Sequence, residues 1–278
     1  MLSIFKKAPP KSPLKDHRRQ WVEETFRQLT NTFHPQAIIG RKVLLPHYSD
    51  FPIRYNGDPQ TAIDTLDILA SQMEIDPGDI ELIIYDDTIN QLSTGSPTGG
   101  KLILGSESGS STDSEPLAEE PWPERNEAGK FPLSLKQSRL KSPELMVANL
   151  ARELAKIKLL EVEEARITTI PGTRVVSALE PDKALEPDEA LERDEALTDC
   201  TTLIFGLGVF NANAAFMSQN LRLTGKGARM TQMEWGYGLA LLAHLRNEKK
   251  PAWTEHLVKN IKSDFLKSEQ YIAYHHRQ

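Results

Sequence analysis

The stretch Ser142–Arg166, SPELMVANLARELAKIKLLEVEEAR, reads as one long helix, and the rest of the chain is placed relative to it. Ser142 is a suitable N-cap, Pro143 suits the first helical position, and Glu144 puts a negative charge in the first turn. Apolar residues recur through the segment at three- and four-residue spacing, the mark of a buried helix. Its polar centre is Arg152-Glu153-Leu154-Ala155-Lys156. Positions 152 and 156, one turn apart, share a face, with Glu153 beside them.

Upstream, Asp16–Phe33 carries Trp21, Thr25 or Phe26, Leu29 and Phe33 at helical spacing, and Gln60–Met73 carries Ala62, Leu66, Leu69 or Ala70 and Met73 in the same way. Between them, Arg41–Pro46 is a short strand or an extended segment, and residues 51–59 are loop and turn. Ile80–Tyr85 is the clearest strand, and Phe131–Leu135 reads as an edge strand whose proline faces outward. Downstream, Thr198–Gln219 is the most apolar helix. Gly206 and Gly208 within it point to close backbone approach or to a break near Gly206. Thr231–Arg246 and Pro251–Leu266 complete the helices. The expected fold class is therefore α+β, mostly helical, with a small sheet near the N-terminal half.

Domain organisation follows composition. Residues 1–15, with four lysines and three prolines, form a basic lead-in expected to be disordered, and residues 16–87 form an N-terminal helix and strand part. Residues 88–130 are dense in Ser, Gly, Pro and acid. They read as a mobile insertion around at most one short strand at Lys101–Leu104. Residues 131–270 form the main helical part, interrupted by a period-six repeat over 178–195, Ala-Leu-Glu-Pro-Asp, read as an acidic surface loop whose last copy merges into the next helix. Six matches no regular period, and Pro181 and Pro187 prevent one uninterrupted helix.

The net charge of -6 over 278 residues is unevenly distributed. Residues 107–127 hold seven acidic and one basic side chain, and residues 178–199 hold nine acidic and two basic, so the remainder is mildly basic. Scattered Lys and Arg without aromatic interleaving argue against nucleic-acid binding. The segment Thr201–Met217 is short for a membrane span, which needs roughly 20 residues, and it carries Asn211 and Asn213. Cys200 is the sole cysteine, and the N-terminus lacks the apolar core of a secretory signal; a cytoplasmic location is expected. Cys200 lies in an apolar helix and reads as a packed side chain rather than a nucleophile.

Several of these features occur together in a family that the chain resembles. They are Trp21; Val43-Leu44-Leu45-Pro46 with Phe51-Pro52; Arg152-Glu153-Leu154-Ala155-Lys156; Leu197-Thr198-Asp199; Gly206-Leu207-Gly208-Val209-Phe210-Asn211-Ala212-Asn213; and the run Tyr237–Arg246. In order and spacing the chain resembles a bacterial family of zincin-type metallopeptidase homologues over about residues 20–266, apart from much of 88–130 and the repeat. The resemblance implies a zincin-like helical domain and a His-Glu-x-x-His helix, in which two imidazoles hold zinc and the glutamate is general base. Here Arg152 and Lys156 stand in place of the histidines and only Glu153 remains, as a vestigial base. A guanidinium keeps its proton, and an ammonium must lose one to ligate, so neither suits zinc.

The resemblance places an acidic third ligand on the following helix, where Glu195 and Asp199 are the candidates. These four positions, Arg152, Lys156, Glu195 and Asp199, are thus a relic metal site with no metal or other cofactor expected, the cations standing in for the metal's charge. The competing reading is an ordinary amphipathic helix with Lys156 and Glu153 paired at its surface.

Three functions follow. The first is a degenerate metallopeptidase that binds an unknown protein or peptide partner without hydrolysing it. The second is an active metal-dependent hydrolase using Glu153 with ligands brought from His47 or His244. The third is a structural or regulatory protein docking through its acidic repeat or the 88–130 insertion.

Overall fold

The computed structural model describes residues 9–86, 122–167, 187–220 and 230–275. The initial residues of the basic lead-in, most of the 88–130 insertion with Lys101–Leu104, the first part of the acidic repeat and His276 lie outside them. The protein is mostly helical with one small parallel sheet, the α+β class expected from the sequence. It divides into two units, Pro46–Lys183 on one side and Met1–Leu45 with Ala184–Gln278 on the other.

In the unit Pro46–Lys183, helix α3 (Pro59–Gln72) starts where Asp58 accepts hydrogen bonds from the Thr61 N–H at 2.8 Å and its hydroxyl at 2.6 Å. This is an N-cap, and Pro59 at the first position loses no helical bond. Ala62, Leu66, Leu69, Ala70 and Met73 are buried, the stripe read from the sequence. A turn at Asp76, whose carboxylate accepts the Gly78 N–H at 2.8 Å, delivers the chain to β1 (Ile80–Tyr85). β1 pairs in parallel with β2 (Phe131–Lys136), from Ile80 opposite Phe131 to Tyr85 opposite Lys136. Phe131, Leu133 and Leu135 are buried while Ser134 and Lys136 are exposed, the alternation a half-buried strand requires.

The end of the expected insertion is ordered against this sheet. Asn126 donates to Glu81 at 2.5 Å, and the Arg125 guanidinium sits 4.2 Å from the Phe131 ring centroid. A short 3-10 turn, Gln137–Lys141, then leads to α4 (Pro143–Ile167), which begins where the sequence places it. Tyr55 donates its hydroxyl proton to the Leu140 carbonyl beside this turn.

In the other unit the regular elements among the described residues are helices. Leu14, in the expected lead-in, is buried at 7% exposure just before α1 (Asp16–Thr32). The buried stripe of α1 is Val22, Thr25, Phe26, Leu29 and Thr30, which keeps the expected Thr25, Phe26 and Leu29, while the expected ends Trp21 and Phe33 are only half-buried. Helix α2 (Pro35–Gly40) is followed by an extended segment at Arg41–Leu45 that joins no sheet.

Helix α5 (Pro187–Thr202) starts inside the acidic repeat, so residues 187–195 are helical rather than looped. Pro187 occupies the first position, where a proline does not disturb the helical bonds. After α5 the chain makes a wide turn, Leu203–Leu207, and Gly206 adopts φ 79°, the left-handed conformation that glycine tolerates best. The break read as one alternative at Gly206 is thus real, and its carbonyl is released to accept the Leu44 N–H at 2.9 Å. Helix α6 (Gly208–Asn220) follows. No helix among the described residues is long and apolar enough to cross a membrane.

Thr231 and Glu234 form a reciprocal capping box at the start of α7 (Gln232–Leu245). The segment expected as one helix over Pro251–Leu266 is two elements, a 3-10 turn at Ala252–His256 and α8 (Lys259–His275). α8 runs on to His275 because Ile261, Phe265, Ser268 and Ile272 stay on one buried face to the end.

Candidate functional site

Helix α4 is unusual for where it buries charge. Leu150, Ala151, Leu154, Ala155 and Ile157 are all at or below 1% exposure, and among them Arg152 and Lys156 are exposed to only 7% and 6%. The Lys156 ammonium lies 3.1 Å from Glu153 Oε1, and the Glu153 side chain keeps 28% of its exposure. Burying a cation is costly unless a partner compensates it, and this i,i+3 carboxylate supplies one. The surface pairing weighed as the ordinary alternative is therefore corrected in one respect: the pair forms, but its lysine is buried.

This set does not fit zinc. A guanidinium and an ammonium offer donors and no ligating lone pair, and one of them, Lys156, donates to Glu153 Oε1.

Glu195 and Asp199 lie on α5, in the other unit. Glu195 is half-buried, whereas Asp199 is 1% exposed and accepts the Met230 N–H through Oδ2 at 2.9 Å. Asp199 thus ties α5 to the residues leading into α7, a structural bond that a metal-ligand reading does not foresee. Of the positions named from the sequence, the structure pairs Glu153 with Lys156, and it places Arg152 on the same buried helix. His47 is exposed in one unit and His244 is exposed at the end of α7 in the other. Among the described residues no group of three or more His, Cys, Asp or Glu side chains is disposed to hold a metal ion.

A feature the sequence reading missed lies between α1, α7 and α8. A cavity of about 620 Å³ is floored by Phe26, Leu241, Leu245 and Ile272 and edged by Arg19, Glu23, Tyr237 and Tyr271. Its volume is within the range of small-molecule sites. Tyr237 donates to Glu23 Oε1 at 2.5 Å, and Arg19 Nη1 donates to both Glu23 oxygens at 3.1 and 3.0 Å. Burial raises the Tyr237 hydroxyl well above its ordinary pKa, and the Glu23 carboxylate raises it further. For Arg19, burial pulls the pKa down, but the hydrogen bond and charge of Glu23 outweigh it and the net direction is up. The Arg19 Nε–H is buried and has no hydrogen-bond partner among the described residues.

No family model, curated protein or solved structure matches the chain.

Cys200 is buried, with its sulfur 3.5 Å from Met230 Sδ. Burial, helped by the negative charge of Glu234, pushes its thiol up to about 12. It therefore stays a neutral thiol throughout the physiological range, the inert state of a packed cysteine. A thiol reagent at about pH 8 is expected to leave the native protein unlabelled and to modify one thiol per chain only after denaturation. Rapid labelling of native protein would contradict this environment.

The cavity was not legible because its key contact, Tyr237 to Glu23, joins residues 214 positions apart. The available signal was Arg19 and Glu23, four apart on the flank of the α1 stripe, which reads equally well as an exposed helix pair.

Proposed function

We propose that the protein acts by binding, on a zincin-type framework whose catalytic helix has exchanged its metal ligands for buried charge. One observation carries the reading: the Lys156 ammonium at 3.1 Å from Glu153, with Arg152 equally buried one turn away. A hydrolytic zinc site needs imidazole ligands and a carboxylate free to take a proton from bound water. An ion pair at those positions supplies no imidazole, and it gives the glutamate a cationic partner without a metal.

The partner we assign is a protein or peptide segment, met in the cytoplasm. The cavity edged by Arg19 and Glu23 supports this class. Its apolar lining suits an aliphatic or aromatic side chain, and the polar groups of Arg19, Glu23, Tyr237 and Tyr271 at its edge suit a peptide backbone.

Metal analysis and a proteolysis assay on the purified full-length chain test the reading. Zinc is expected at far below one equivalent, and an unfolded protein substrate is expected to survive prolonged incubation. Stoichiometric zinc that is lost on replacing Glu195 or Asp199, together with peptide hydrolysis, would establish an active enzyme instead.

A further inference from the structure

We propose that the turn following α7 and the extended segment following α2 form a binding site for the phosphoryl group of a small molecule. They line an open cavity of about 570 Å³ in the unit that contains the N- and C-terminal helices. Five cationic side chains line it, Arg41, Lys42, Arg246, Lys249 and Lys250, against the single carboxylate of Glu248. That carboxylate is engaged, accepting the Trp253 Nε1–H at 2.8 Å and lying 3.7 Å from Arg246 Nη1.

The backbone that presents these residues is built from local rules. Asn247 takes φ 52° and closes α7, its N–H bonding the His244 carbonyl at 3.0 Å and the Glu248 N–H the Ala243 carbonyl at 2.9 Å. Lys250 also has positive φ, 51°, immediately before Pro251. A lysine in the left-handed region costs about 1 kcal/mol or more, and such strain gathers where a binding site over-determines the backbone. On the opposite wall, Arg41 stacks its guanidinium 4.3 Å from the Phe205 ring centroid, which fixes its plane.

Arg246 is the centre of the site. Its side chain is 4% exposed; Nη2 donates to the Ile38 carbonyl at 2.9 Å, and Nε is buried without a hydrogen-bond partner among the described residues. A buried guanidinium donor left unmade is costly. Burial lowers the Arg246 pKa, Glu248 opposes the change, and the positive charge of Arg41 lowers it again. Arg41 and Arg246 therefore repel each other across the cavity.

An oxyanion suits this lining, since its oxygens accept from guanidinium forks and ammonium groups. Phosphate fits better than a carboxylate, because three oxygens can meet guanidinium and ammonium donors from both walls. Ile39, Val43 and Trp253 line the same cavity and would receive an apolar or planar body attached to the phosphate.

Calorimetric titration of the full-length chain with inorganic pyrophosphate and with phenyl phosphate, at about 0.15 M salt to screen diffuse attraction, tests the proposal. Saturable binding of at least one probe is expected. Tighter binding of phenyl phosphate assigns the site to an organic phosphate ester, and tighter binding of pyrophosphate to a free phosphoanion.

R246Q is expected to weaken binding at least tenfold. Because Arg246 also bonds Ile38, K249A/K250A serves as a second variant: both lysines are exposed, the fold should be intact by circular dichroism, and binding should fall severalfold. Absence of saturable binding by either probe, or affinity unchanged in K249A/K250A, overturns the site.

Discussion

Replacing Gly236 by alanine is expected to destabilise the protein by about 3 kcal/mol, the upper end for overpacking a core. Helix propensity alone predicts the opposite sign, because alanine is favoured over glycine inside a helix by about 1 kcal/mol. Packing decides the outcome. A Cβ at 236 would lie 2.8 Å from Asp264 Cβ, 2.9 Å from the Asp264 carbonyl carbon and 2.9 Å from the Phe265 nitrogen. Two of these are backbone atoms of α8, so relief requires α7 and α8 to move apart rather than a side chain to turn.

Gly238 provides the comparison. A Cβ there meets Leu203 Cδ1 at 2.8 Å, the flexible end of a side chain, so G238A should cost clearly less. Thermal unfolding of both variants checks the ranking, with G236A expected to lower the midpoint by roughly 10 °C. A G236A midpoint at or above that of the parent would show that the two helices are not in backbone contact at this position.

Removing the Glu234 carboxylate has the second large effect. Glu234 is 2% exposed and takes three hydrogen bonds, from Arg18 Nε at 2.5 Å, the Thr231 N–H at 2.7 Å and the Thr231 hydroxyl at 2.9 Å. It joins α1 to α7 and caps α7 with the same side chain. E234A breaks both, at an expected cost of about 3 kcal/mol, since an ion pair opened from one side leaves its partner poorly compensated. Arg18 keeps 32% exposure, so water partly relieves it and the loss stays at the lower end of the range for buried pairs.

E234Q keeps the shape and one acceptor oxygen and should fall between parent and alanine. T231A removes the cap and the hydroxyl's bond to Glu234, leaves the Arg18 ion pair, and should cost about 1 kcal/mol. Urea unfolding of the three variants separates the ion pair from the cap. Equal losses in E234A and T231A would mean that the Arg18 contact contributes nothing.

Much of the fold could be read locally. Ser142-Pro143-Glu144 announces the start of α4 because capping chemistry lies within four residues of sequence, whereas Asp58-Pro59, read as turn, proved to be the cap and first residue of α3. Ile80–Tyr85 and the alternating Phe131, Leu133 and Leu135 announce strands for the same reason. Where local signals competed, the reading slipped. Residues 187–195 read as surface loop and are helical, with Pro187 at the first helical position. The apolar run after Pro251 hid a 3-10 turn, and at the start of the α1 stripe Val22 is buried in place of Trp21, whose ring centroid lies 5.1 Å from the Arg18 guanidinium.

The candidate site divides in the same way. That Arg152 and Lys156 share a face with Glu153 beside them follows from helix period and nothing else, and so does the misfit of that set to zinc. What the sequence by itself determined is therefore the class of fold, the main helices and the cations at 152 and 156 on one face of the central helix, all carried by neighbours within a turn or two.

Tertiary structure alone decided that Lys156 is buried, that Asp199 holds the Met230 N–H, that Tyr237 meets Glu23 and that Arg41 and Arg246 line one cavity. Burial and the meeting of distant charges depend on which helix faces pack together. That choice comes from summing many apolar contacts over the whole core, so no short window of residues contains it.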